Sequence, residues 1–119
     1  EVVRAVKPTK LPEAPEHIAG VINLRGRVTP LVRMRNMFSF DAGDEEEKFI
    51  IICRRRGLQV GLLVTSIATM YRVGQEKIEW NIDHHVGGAV EYVSALMKVD
   101  EKLINVLSVD RVVDKVLKR

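Results

Sequence analysis

The sequence predicts an all-β protein, two small barrels with a short helix at the carboxyl end, and three observations carry that prediction. Three segments repeat one beat: an apolar run, a short polar or glycine-bearing break, then a second apolar run. Val, Ile and Leu fill runs too short for helices, so each segment reads as a β-hairpin. Several runs are also apolar at both odd and even positions, the pattern of strands buried on both faces.

The elements follow in order. Residues 1–6, Glu-Val-Val-Arg-Ala-Val, open the chain inside a strand-like run without an initiator Met, which reads as a fragment of something longer. Residues 7–15 carry Pro8, Pro12 and Pro15, whose fixed φ and missing N–H groups favour an extended loop. The first hairpin pairs 18–24 with 28–32 across Arg25-Gly26-Arg27. One or two helical turns over 33–38 can follow Pro30. The acidic connection 41–48 is the natural boundary between two halves, 1–43 and 47–119, within one domain of residues 1–119. The second hairpin pairs 49–53 with 58–64 across Arg54-Arg55-Arg56-Gly57, and the third pairs 93–99 with 103–109 across Asp100-Glu101-Lys102. Val112, Val113, Val116 and Leu117 then fall at helical spacing, with Ser108 or Asp110 as the cap and basic residues in the last turn. That helix is free to pack back on the first half.

Composition narrows the class. At 119 residues, 46% hydrophobic and 29% charged, the chain is neither disordered nor collagen-like. Nineteen basic against sixteen acidic residues leave +3, a mild excess for a nucleic-acid binder. A single cysteine, Cys53, excludes an internal disulfide framework and fits a reducing, cytoplasmic setting. No apolar run approaches the roughly 18 residues of a membrane span, and no signal-peptide layout opens the chain.

No catalytic set assembles. His84 and His85 beside Asp83 point in different directions on any regular backbone, so they read as loop histidines; His17 stands apart from both. Cys53 lies mid-strand without a neighbouring base and reads as a small core hydrophobe. Gly87-Gly88 is a turn, not a phosphate cradle. Arg54, Arg55 and Arg56 sit at a hairpin tip with no aromatic residues interleaved, so a solvated turn is favoured over a nucleic-acid patch. The acidic run 44–47 lacks the alternation of a calcium loop. Trp80 either packs over a barrel end or marks an interface. On residues alone this is a binding or scaffold module without metal or cofactor, and not an enzyme.

The stretch 11–30, Leu-Pro-Glu-Ala-Pro-Glu-His-Ile-Ala-Gly-Val-Ile-Asn-Leu-Arg-Gly-Arg-Val-Thr-Pro, resembles the signature of the CheW-like coupling proteins of chemotaxis. Gly20, Val21, Asn23, Leu24, Arg25, Gly26 and Pro30 match it in register, and the similarity continues through 58–64, 91–93 and 102–107. The resemblance implies two five-stranded SH3-like β-barrels and a cytoplasmic, non-catalytic adaptor. Its implied partners are the regulatory domain of the histidine kinase CheA and the cytoplasmic tip of chemoreceptors, with no nucleic acid and no direct membrane insertion. It also implies partner-binding roles for Arg25 and Glu1, within the Asn23, Leu24, Arg25, Gly26 turn, and coupling roles for Gly20, Phe49 and Gly61. Arg25 has a plainer reading as a brace for its own turn. Relative to the family, the initial hairpin is missing, which leaves an edge that a second copy can cover.

Family members usually carry Asp where this chain has Arg33, Thr65 and Ser108. If those aspartates pair with basic neighbours, either the pairs are gone together or the partner surface differs. Two alternatives stay beside the adaptor: a CheW-like regulatory domain of a larger CheA- or CheV-type protein, and a small basic β-barrel that binds nucleic acid. A small-molecule sensor with its ligand between the barrels is a further reading.

Overall fold

In the computed structural model, which describes residues 1–37, 45–80 and 90–117, the chain forms two β-sheets with one short helix near its carboxyl end. The strands are β1 (Val2–Arg4), β2 (Ile18–Leu24), β3 (Arg27–Arg33), β4 (Phe49–Arg55), β5 (Leu58–Val64), β6 (Ile78–Glu79), β7 (Val93–Val99) and β8 (Lys102–Leu107). A single helical turn, α1 (Met34–Met37), follows β3, and α2 (Val109–Leu117) follows β8. The expectations for Phe38, for 41–44, for Asp83 with His84 and His85, for Gly87-Gly88 and for the last two residues of the tail lie outside the described residues.

All three predicted hairpins form, each closed by a two-residue loop with positive φ at both positions. The pairs are Arg25 (53°) with Gly26 (78°), Arg56 (53°) with Gly57 (75°), and Asp100 (46°) with Glu101 (66°). This is the loop whose backbone twist matches that of the flanking strands. Strands therefore run further into the polar breaks than the apolar runs alone indicate, and Arg54 and Arg55 belong to β4.

The first sheet has the order β1-β4-β5-β3-β2, with β3 and β5 parallel and every other pair antiparallel. The second has the order β6-β7-β8. The acidic connection thus does not separate the sheets, as the boundary at 43–47 anticipated: β4 and β5 lie beyond it in sequence yet pair with β1 and β3. The physical reason is the two-sided apolarity of β5, which seats it in the middle of a sheet where both faces are covered.

Those faces alternate residue by residue. Leu31, Ile50, Ile52 and Leu63 pack with Ala19 on one side, joined by Val3 and Ala5 near β1 and by Ile22 and Leu24 of β2. Since β1 and β2 are the two edges of the sheet, this shared cluster is the interior of a sheet curled on itself. On the other side Val32, Val60 and Leu62 meet Met34, Met37, Tyr92 and the fully buried Val112 and Val113 of α2. The helix therefore packs on the first sheet. Its start is capped by Ser108, whose Oγ accepts from the Arg111 N–H at 3.3 Å.

One buried polar chain sits among the interior residues. Gln59 Nε2 donates to Thr29 Oγ1 at 2.8 Å, and Gln59 Oε1 accepts from Arg54 Nε at 2.8 Å. Thr29 Oγ1 in turn donates to the Arg27 carbonyl at 3.2 Å, so both buried side chains are satisfied. This fixes the level of β3 against β5.

The third hairpin holds its loop without glycine. A non-glycine residue in the left-handed region costs about 1–2 kcal/mol. Glu101→Gly is expected to raise the unfolding free energy by about 1 kcal/mol, and Gly57→Ala to lower it by a similar amount, in denaturant titrations. A loss of stability on Glu101→Gly would contradict the turn geometry.

Candidate functional site

The resemblance singled out Arg25 and Glu1, 24 positions apart, and the fold brings them together. Glu1 lies just ahead of β1, where its carbonyl accepts from the Ile52 N–H at 2.8 Å. Arg25 projects from the β2–β3 turn. Its Nη1 donates to Glu1 Oε1 at 2.5 Å and its Nη2 to Glu1 Oε2, a two-pronged guanidinium–carboxylate pair. The Arg25 guanidinium, with a smaller contribution from Arg54, holds the Glu1 carboxyl below its ordinary range. Because β1 and β2 are the edges of the curled sheet and do not pair with each other, the ion pair fastens the ends of the seam between them.

The rest of the turn serves to present Arg25. Asn23 Oδ1 accepts from the Gly26 N–H at 3.1 Å, which closes the loop from the side-chain direction. Leu24 packs inward against the interior cluster. Gly26 supplies the second positive φ. Arg25 carries the long side chain that projects from the exposed turn, and it is 60% exposed. Around it stand β-branched residues that the fold leaves in water: Val28, next in β3, is 69% exposed, and Val2 and Val6 are about half exposed. A depression of about 410 Å³ between Val6, Val21, Asn23 and Val28 adjoins the turn. An apolar surface around a planar, multi-donor cation is the usual make-up of an interface core.

The three glycine and aromatic positions fall elsewhere. Gly61 lies buried at the centre of the first sheet, where an added Cβ would stand 2.6 Å from Leu31 Cδ2 and 2.7 Å from Ile50 Cγ2. Gly20, at φ 146°, lets the proline loop cross: an added Cβ would meet the Thr9 carbonyl oxygen at 2.4 Å. That crossing is tied by two 2.9 Å backbone bonds between Thr9 and Val21. Phe49 opens β4 opposite Arg4 and Val64, half-buried. Gly20 and Gly61 thus each have a backbone or packing reason for their identity.

Several other arginines are matched within the chain. Arg55 Nε and Nη2 donate to the two Asp110 oxygens, each at 2.7 Å, and Arg56 pairs with Asp114 one helical turn on. With Arg54 held by Gln59, the run Arg54-Arg55-Arg56 clamps the helix, with the Arg55 and Arg56 side chains still half exposed. Arg33, where the family pattern has Asp, pairs with Glu47, and Arg35 Nε lies 3.7 Å from the second Glu47 oxygen. Glu47 is nearly buried, so the reversed charge is answered inside the chain. Ser108 keeps a capping role that Asp would also fill, and Thr65 sits half-buried just past β5. Cys53 is half-buried against the helix-side cluster, and burial pushes its thiol up, away from nucleophilic chemistry. Trp80 is 53% exposed. The sequence did not mark Glu47, Asp110 and Asp114 as partners of these arginines, because each sits 14 or more positions away.

Comparison with known proteins gives one answer throughout. The model of the CheW-like domain family matches residues 1–117. The chain is 28% identical over 109 residues to the chemotaxis protein CheW of Thermotoga maritima, covering 91% of this chain and 70% of that protein. It is 31% identical over 112 residues to the chemotaxis protein CheW of Bacillus subtilis, covering 92% and 70%. Among solved structures, the scaffolding protein TtCheW of Thermoanaerobacter tengcongensis superposes with a TM-score of 0.82 at 31% identity, over 92% of this chain and 71% of that one.

Two outcomes are expected from this geometry. Gly61→Ala overpacks the interior and should destabilise the chain by about 1–3 kcal/mol in denaturant unfolding; an unchanged midpoint would remove the packing explanation. Burial, aided by the Lys115 charge, holds His17 below the ordinary histidine range. The unfolded chain therefore binds that proton more readily, so the His17 contribution is full above pH ~6.5 and is lost as pH falls through the folded value. His17→Gln should flatten that part of the stability–pH curve.

Proposed function

Because this chain belongs to the CheW-like domain family, we propose that it acts as a cytoplasmic, non-catalytic adaptor coupling the histidine kinase CheA to the cytoplasmic tip of chemoreceptors. The single observation that carries the receptor-binding part is the state of Arg25. A guanidinium has five N–H donors in a fixed plane. Glu1 takes up two of them, from Nη1 and Nη2, and the side chain remains largely exposed.

The remaining donors suit carboxylates or carbonyls on a receptor helix, while Glu1 fixes the plane in which they point. Holding a long side chain in place before the partner arrives lowers the ordering cost of association. The surrounding Val2, Val6 and Val28 supply apolar area that a helix can cover. In this reading Arg25 is both seam fastener and contact residue, and the two roles use different donors.

The test is binding of the purified chain to a receptor cytoplasmic tip. Arg25→Ala should weaken it about tenfold, as removal of a central interface arginine does, with the far-ultraviolet spectrum and cooperative melting retained. Equal affinity of the variant would leave Arg25 as a fastener only. Failure of the unaltered chain to bind either a receptor tip or the CheA regulatory domain would sink the adaptor reading.

A further inference from the structure

A second groove, which shares Val21 with the depression beside the Arg25 turn, lies between the proline loop, the β2–β3 hairpin and the last turn of α2. Leu11, Pro12, Pro15, Ile18, Pro30 and Val116 wall it, and its volume is about 390 Å³, within the range of pockets that hold a ligand. Its walls are fixed in advance. The Ile18 N–H donates to the Pro15 carbonyl at 3.0 Å and the Arg33 N–H to the His17 carbonyl at 2.7 Å. Helix α2 is anchored by Val112 and Val113. Filling a preformed apolar groove costs little ordering of the protein.

Two charged residues line the groove, Lys115 on the helix side and Glu13 on the loop side. Among the described residues neither takes part in an ion pair, whereas the neighbouring Asp110 and Asp114 of α2 are matched by Arg55 and Arg56. The Lys115 charge reaches the ring of His17, which also lines the groove. The helix-side end thus carries an uncompensated positive charge above an apolar floor. A basic occupant would be repelled there, and a wholly apolar one would cover the lysine without a counter-charge.

From this complementarity we propose that the groove docks a segment of a protein partner in which an aliphatic side chain stands close to an aspartate or glutamate. The aliphatic group fills the space between Pro15, Ile18 and Val116, and the carboxylate pairs with the Lys115 ammonium. Glu13 disfavours a second acidic residue at the loop end. Neither Arg25 nor Glu1 lines the groove, so this docking stands or falls separately from the adaptor reading.

The test is an amide NMR titration of the chain with the blocked peptide acetyl-Ala-Leu-Ala-Glu-Ala-amide and its glutamine counterpart. Saturable shifts at Ile18, Lys115 and Val116 are expected with the glutamate peptide. Affinity should fall by about two- to fivefold with the glutamine peptide and with the Lys115→Gln chain. Ala14→Phe, which fills the groove and leaves Lys115 in place, should abolish the shifts while thermal melting reports the fold. Equal binding of the two peptides, or no saturable shift up to about 10 mM, overturns the proposal. Movement of the same resonances with chain concentration alone assigns the groove to a second copy and overturns it too.

Discussion

Where β3 runs parallel to β5, Leu31 stands opposite Gly61, and the missing side chain at Gly61 is what lets Leu31 and Ile50 meet inside the sheet. Most of the structure depends on that contact. It joins two hairpins that the sequence separates by an acidic connection. It places Val32 and Leu62 on the opposite face to receive α2, and it aligns Thr29 with Gln59 in the buried polar chain. With the central strands in that register the sheet curls, and its edges come close enough for Glu1 to reach Arg25. The candidate site is therefore a consequence of a packing constraint on its own core.

This also explains why packing and partner effects are hard to separate in such a module. Gly20 and Gly61 are conformational and steric necessities: each stands where a Cβ would strike backbone or core atoms. Substituting either would disturb the seam indirectly, by moving the strands that carry Arg25 and Glu1. A loss of partner binding at those glycines does not require that a partner touch them.

Local features were legible in the sequence and long-range pairings were not. The hairpins, the single turn after β3 and the capped terminal helix follow from apolar runs, turn chemistry and helical spacing, all readable within about ten residues. The parallel β3–β5 pairing leaves no such local trace, and so the boundary between halves was placed one hairpin too early. Arg25 and Glu1 were legible only through the family resemblance, since nothing in their spacing says that the two edges of a sheet meet. The matches of Arg55 with Asp110, Arg56 with Asp114 and Arg33 with Glu47 were invisible for the same reason. They leave the net charge of +3 unchanged but tie three of its arginines to carboxylates of the same chain.

The parallel pairing has a kinetic consequence. Each hairpin closes over two loop residues and can form on the microsecond scale. Bringing Leu31 to Gly61 instead closes a loop of about 30 residues, an entropic cost that local pairing does not repay. Contacts of that separation govern how slowly a β-rich chain folds. Folding of this chain should thus wait on one encounter between two ready-made hairpins, with the seam fastened only afterwards.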